Sequence, residues 1–312
     1  MTLVQRSLFP DAFEVQDAAL AALEVMDLGA ARELVRAACA RDPGLVGLVV
    51  LEATVRWLDA ALHGEPPAPE NLAAAFRALP AAVSSRELAR DAARFVDRSL
   101  ARHAVLRADG GTVFLDAGET VHRGALHLVL DRSAAARAEL RATLEAGHRG
   151  RADLWAYLGD ACMLEERADE ANAAYVRALV LSAADVDLYR IRAPRLAELH
   201  ATLRATLPDA VARESLLTHA WLERVLAIPT ENEWLDEGQV AAVLAEPADA
   251  GAPAERRQRR FARLVYADRS RAPGAVDLEE REEMLALDAE LFRRYVAACE
   301  RGEGGATRRM PW

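Results

Sequence analysis

Lysine is absent from this 312-residue sequence, so all 39 of its basic residues are arginine. Any anion that the protein binds is therefore held by planar guanidinium groups, which can donate two parallel hydrogen bonds to one carboxylate or phosphate. The net charge of −10 disfavours a protein that coats nucleic acid. That charge argues against a general basic surface but leaves room for a local basic patch.

Cysteine and long apolar runs are also scarce. The three cysteines, Cys39, Cys162 and Cys299, lie far apart without a C-x-x-C pair, which predicts reduced and mostly buried thiols. The start, MTLVQRSLFPDAFEV, lacks the apolar core of a signal peptide. The longest apolar run begins at Gly44, is followed by Arg56 and is too short to span a bilayer. We therefore expect a cytoplasmic protein without a membrane segment.

Short motifs of catalysis and cofactor binding are missing as well. The sequence contains no G-x-S-x-G, no phosphate-binding G-x-x-x-x-G-K-[ST] and no H-E-x-x-H. Glu119 and His122 form an E-x-x-H pair, but a di-iron helical bundle needs that motif twice together with further carboxylates. We expect no metal, no cofactor and no catalytic residues; an enzyme with an unrecognised site is an alternative.

The residues that are abundant favour helices. Hydrophobic residues make up 52% of the chain and charged residues 28%, while aromatic residues contribute only 5%. Alanine, leucine and arginine recur throughout, and all three are good helix formers. Apolar residues recur at helical spacing over most of the chain and predict continuous helices, for example at 185–204 and 277–301. The exception is residues 109–120, which favour a loop or an isolated strand.

The clearest pattern occupies residues 152–185, which predict two helices joined by a turn. Apolar and small residues there fall on one face of each helix. The first helix carries Trp155, Leu158, Gly159 and Cys162 at these positions, and the second carries Ala171, Tyr175 and Ala178. This arrangement resembles the tetratricopeptide repeat (TPR), W-x2-L-G-x2-Y…A-x3-F…P, although Cys162 replaces its tyrosine and Ala183 its proline.

Two further segments share part of this pattern, and such copies are expected because one hairpin cannot bury its own apolar face. The matching positions in residues 13–44 are Val15, Ala18, Ala19 and Ala22, then Ala31, Val35, Ala38 and Pro43. In residues 117–149 they are Gly124, Ala136, Leu140 and Thr143, with Arg123 in place of the leucine. The alternative is an irregular bundle of ordinary helical hairpins, because alanine-rich chains match small-residue positions by chance.

The predicted architecture is all-α. We expect a right-handed α-solenoid of TPR-like helical hairpins over residues 1–245, with a break at the loop 108–118 as one option. A turn-prone linker at 246–253 separates it from a C-terminal helical cap at 254–302, and the tail 303–312 is expected to be mobile.

The TPR resemblance also implies a function. In proteins with this repeat, the first helix of each hairpin lines a concave groove that binds peptides. The resemblance places five residues of this chain on such a groove: Asp153, Tyr157, Asp160, Met163 and Leu164. It therefore implies a non-catalytic scaffold or adaptor with a protein or peptide partner, and leaves the oligomeric state open. The alternative is that a neighbouring element covers these residues or that they face water.

The densest basic feature lies beyond the linker, in an Arg-rich helix predicted at 254–268. Its candidate binding residues are Arg256, Arg257, Arg260 and Arg263. One interpretation is a docking patch for RNA phosphate or an acidic partner segment, which makes an RNA-contacting regulator an alternative function. The other interpretation is a solvated face that pairs with the acidic run at 277–283. The closeness of that run in sequence favours pairing, so nucleic-acid binding is not the expected function.

Overall fold

The computed structural model describes residues 10–42, 47–62, 68–107, 113–229, 251–271 and 275–301. Within these ranges the protein is helical and has no β-strand beyond one isolated pairing of two residues, so the all-α prediction is confirmed. No helix in the described ranges is both long and apolar enough to cross a membrane. The solenoid arrangement stays a prediction.

The chain divides into two compact units, Met1–Arg132 and Ser133–Trp312. This boundary lies beyond the loop 108–118, where the sequence suggested a break, and it separates the two helices of the candidate repeat at 117–149. The helices after residue 253 belong to the second unit. Residues 246–250 of the predicted linker and the tail 303–312 lie outside the described residues.

The described part of the first unit contains six helices. They are α1 (Pro10–Glu24), α2 (Leu28–Arg41), α3 (Leu48–Ala61), α4 (Pro69–Ser84), α5 (Arg90–Arg107) and α6 (Arg123–Val129). Alanine, leucine and phenylalanine side chains from α1 to α5 form one core, in which Leu23, Leu58, Phe76 and Leu100 are fully buried. Burial of these apolar side chains is the main favourable contribution to the stability of such a unit.

The segment predicted as a loop or an isolated strand forms a single antiparallel pairing of Phe114 with His122. The Asp116 carboxylate closes the turn between them, because its Oδ1 accepts the backbone N–H groups of Thr120 at 2.8 Å and Val121 at 3.2 Å. An aspartate that accepts nearby backbone N–H groups is a common way to stabilise a tight turn. The turn leads directly into α6.

The second unit contains nine helices within the described residues. They are α7 (Ser133–Thr143), α8 (Ala152–Leu164), α9 (Ala168–Ser182), α10 (Pro194–Arg204), α11 (Asp209–Glu214), α12 (Leu216–Leu222), α13 (Ala254–Ser270), α14 (Leu278–Leu287) and α15 (Ala289–Glu300). The predicted helix at 277–301 is thus two helices. Asp288 separates them because it is extended (φ −157°) and caps α15, its carboxylate accepting the Leu291 N–H at 2.9 Å.

The hairpins α1–α2 and α8–α9 end their first helices in the same turn. Met26 and Glu166 have positive φ angles of 56° and 59°. The next residue in each turn, Asp27 or Arg167, donates its N–H to a carbonyl five positions back at 2.9 Å. This pattern is a Schellman motif, whose left-handed position is usually glycine. The same turn also ends α6 at Asp131 and α12 at Arg224, so it is a recurrent helix terminus of this chain and is not specific to the two candidate repeats.

Replacing Glu166 by glycine is expected to raise the free energy of unfolding by about 0.5–1 kcal/mol, because glycine adopts a positive φ without the clash of a Cβ atom. Glu166 is exposed, so little packing is lost. Glu166→Ala is the matched control, since it removes the same carboxylate but keeps the Cβ. Urea denaturation should show stabilisation only for the glycine variant, and equal stabilities would contradict the turn geometry.

Candidate functional site

Gly159 of α8 packs directly against the Tyr175 ring of α9. A Cβ atom added to Gly159 would lie 2.7 Å from Cδ1 and Cε1 of that ring. The other residues of the TPR-like pattern are also buried in this hairpin: Trp155, Leu158, Cys162, Ala171 and Ala178. Burial raises the pKa of the Cys162 thiol to about 11, so this thiol is protonated and unreactive at neutral pH.

Asp160, which follows Gly159 in α8, is buried and does not face an open groove. Its Oδ1 accepts the Tyr175 hydroxyl and the backbone N–H of Arg192, both at 2.7 Å. Burial raises the pKa of this carboxyl to about 7, and the two hydrogen bonds and the Arg192 charge offset only part of that rise. Asp160 therefore joins both helices of the hairpin to the segment that follows α9.

That following segment, residues 186–193, covers part of α8. Val186, Leu188 and Ala193 are buried. The Asp187 carboxylate accepts the Arg190 backbone N–H at 3.3 Å and the Arg190 side chain at 2.6 Å, which fixes a turn in the segment. The predicted helix at 185–204 accordingly begins only at Pro194.

The remaining four predicted groove residues differ in how far they reach the surface. Leu164 is 42% exposed, while Asp153, Tyr157 and Met163 are half-buried. Asp153 accepts a hydrogen bond from Nε of Arg151 at 3.0 Å, so its charge is compensated within the chain. The structure thus leaves an open edge of α8 at Leu164, whereas Asp160, which the resemblance also placed on the groove, is buried against the segment 186–193.

Two of the four residues of the predicted patch on α13 form contacts inside the second unit. Arg263 is buried and donates to the carbonyl oxygens of Val180 and Leu181 at 3.3 and 3.2 Å. Arg260 forms a two-bond ion pair with Glu283 at 2.6 Å, which is the pairing with the acidic run that the sequence favoured. Arg256 is exposed and Arg257 is half-buried. The Arg-rich helix is therefore mainly a packing element.

Sequence reasoning missed a second row of arginines on α5. Arg90, Arg94, Arg98 and Arg102 follow one another at intervals of four residues, and all four are exposed. The signal was readable as R-x3-R-x3-R-x3-R, because residues four apart share a helix face. Local charge density does not reveal this row, because these arginines are never adjacent in sequence, unlike those of α13.

Within the described residues, no group of three or more His, Cys, Asp or Glu side chains is placed to hold a metal ion. The E-x-x-H pair is not on one helix, since α6 begins only at Arg123. His122 is buried, its Nδ1 accepts the Gly124 N–H at 2.9 Å, and its ring meets the Phe114 ring edge-on. It caps α6.

Comparison with known proteins finds no family model, no curated protein and no solved structure that matches this chain. The structure by itself defines an all-helical protein of two compact units. Any assignment of function therefore depends on the contacts and exposed groups described above.

Proposed function

We propose that this protein is a cytoplasmic scaffold or adaptor, built from TPR-like hairpins, that binds a segment of a partner protein. The observation that carries the proposal is the equivalence of α1–α2 and α8–α9. Their second helices bury the same positions, Ala31, Val35 and Ala38 in one and Ala171, Tyr175 and Ala178 in the other. Repeated helical hairpins of this kind stack into extended surfaces that bind other proteins. The three free cysteines agree with a reducing compartment.

The binding surface that we propose is the α8 edge, defined as Asp153, Tyr157, Met163 and Leu164. Leu164 and Met163 supply apolar and adaptable contacts, and Tyr157 supplies an aromatic one. Asp160 has a different role here: it holds the segment 186–193 against α8 through the Arg192 N–H. It is a positioning residue rather than a contact for the partner.

Replacing Leu164 by glutamate is expected to abolish capture of the partner from a native lysate, because it places a charge at the most exposed apolar residue of the α8 edge. Captured proteins would be identified by quantitative mass spectrometry. Leu285→Glu is the matched control, since Leu285 is also in the second unit and is 46% exposed against 42% for Leu164.

Equal melting temperatures for both variants would exclude unfolding as the cause of any loss. If Leu164→Glu and wild type capture the same proteins, the α8 edge is not the binding surface. An RNA-contacting regulator and an enzyme are the other candidates, and no described contact favours either over a scaffold.

A further inference from the structure

The four arginines of α5 form a continuous basic row, here called the arginine stripe: Arg90, Arg94, Arg98 and Arg102. Consecutive members are one helical turn apart, so they are spaced by about 6 Å along the axis and span about 18 Å. Each is exposed, whereas the helix buries Val96, Leu100 and Ala104 on its other side. The stripe is therefore the outer face of a well-packed helix.

Two members of the stripe already hold carboxylates of the first unit. Arg98 pairs with Asp131 at 2.7 Å, and Arg102 lies 3.9 Å from the Glu24 carboxylate. Arg90 and Arg94 form no ion pair with any acidic side chain among the described residues. The C-terminal half of the stripe thus binds carboxylates of the chain itself. The guanidinium groups of the N-terminal half are available to bind carboxylates of a ligand.

The position of the free half supports a binding role over a stabilising one. Arg90 and Arg94 lie in the first two turns of α5, at the positive end of the helix dipole. Cations there are unfavourable for the helix, and anions are favourable. A carboxylate bound at this place would interact well with both guanidinium groups and with the helix N-terminus. Asp91 is the one acidic residue in the first turn of α5.

We propose that the Arg90–Arg94 half of the stripe binds an acidic helical segment of a partner protein. A helix with carboxylates at every fourth position repeats at the same distance of about 6 Å as the stripe, so two of its carboxylates can pair with Arg90 and Arg94 together. The in-chain partners, Asp131 and Glu24, are carboxylates as well. The net charge of −10 works against a long polyanion such as RNA. This surface belongs to the first unit and does not depend on the α8 edge.

The test uses a fluorescent, N-acetylated and C-amidated alanine-rich peptide with glutamate at every fourth position, and measures its binding to the full chain by anisotropy at low salt. Arg90→Gln combined with Arg94→Gln should weaken binding about tenfold, because two charge-assisted contacts are lost. Arg36→Gln combined with Arg56→Gln is the control for net charge: both are exposed arginines on other helices of the first unit, and each pairs with a glutamate of its own helix. That control should change binding less than about twofold.

Each other outcome counts against the proposal. Equal weakening by both double variants would mean that only net charge matters. A second peptide has the same composition but carries its glutamates in one block. If it binds as tightly as the first, the spacing of the carboxylates does not matter. A single-stranded RNA oligonucleotide is also tested: if it binds more tightly than the peptide, and if that binding is lost on changing Arg90 and Arg94, the stripe is a nucleic-acid site. If wild type does not bind the acidic peptide, the proposal is wrong. Partner capture through Leu164 is unaffected by any of these results.

Discussion

Gly159→Ala is expected to lower the free energy of unfolding of the second unit by about 2 kcal/mol, because the new methyl group overpacks the centre of the α8–α9 hairpin. Its Cβ would lie 2.7 Å from two atoms of the Tyr175 ring. That ring cannot easily move, since it is 1% exposed and its hydroxyl is bonded to Asp160. The loss should appear although alanine is the better helix former by about 1 kcal/mol.

Gly150→Ala is the control for this experiment. A Cβ at Gly150 would meet nothing within 4 Å, so its effect should stay within about 0.5 kcal/mol. Urea denaturation of wild type and both variants, followed by circular dichroism, measures the difference. Equal stabilities of the two variants would show that α8 and α9 do not approach each other at Gly159.

The second large effect concerns pH. Folded Asp160 binds its proton with a pKa of about 7, whereas an aspartate in the unfolded chain has a pKa of about 3.9. Between these values the folded state binds more protons than the unfolded state, so stability falls as pH rises through this window. We expect this carboxyl alone to lower the free energy of unfolding by about 2–3 kcal/mol between pH 5 and pH 8. The charged groups facing it are Arg192 and Asp187.

Asp160→Asn isolates this contribution, because asparagine keeps an acceptor oxygen for Tyr175 and Arg192 but does not titrate. Stability measured at several pH values should fall more steeply for wild type than for the variant. The difference between the two curves removes the effect of the other ionisable groups. Parallel curves from pH 5 to pH 8 would contradict the raised pKa of the buried Asp160 carboxyl.

The packing of the α8–α9 hairpin was predictable from sequence, because helical spacing alone selects the inward positions. Gly159 and Ala171 are small and buried where the helices approach. The burial of Asp160 was not predictable in this way. It follows from residues 186–193, whose turn at Asp187 returns the chain over α8, and periodicity carries no information about where a connecting segment packs.

The basic residues illustrate the same limit. Local density singled out α13, yet Arg259 there pairs with Glu214, which is 45 positions away in sequence. Arg263 donates to backbone carbonyls of α9, and no side-chain pattern reveals such acceptors. Conversely, the regular four-residue spacing of the arginine stripe of α5 can be read from the sequence. Its exposure cannot, because it depends on which face of the helix packs against the core. Charge density in sequence therefore says little about which cations are open to a ligand.

Hydrogen exchange of backbone N–H groups, measured for the protein alone and with its captured partner, tests the proposed scaffold function most directly. Binding at the α8 edge predicts slower exchange in residues 152–164 and 186–193, with α13 and α14 unchanged. Slower exchange confined to α13 and α14, with residues 152–164 unaffected, would contradict the account.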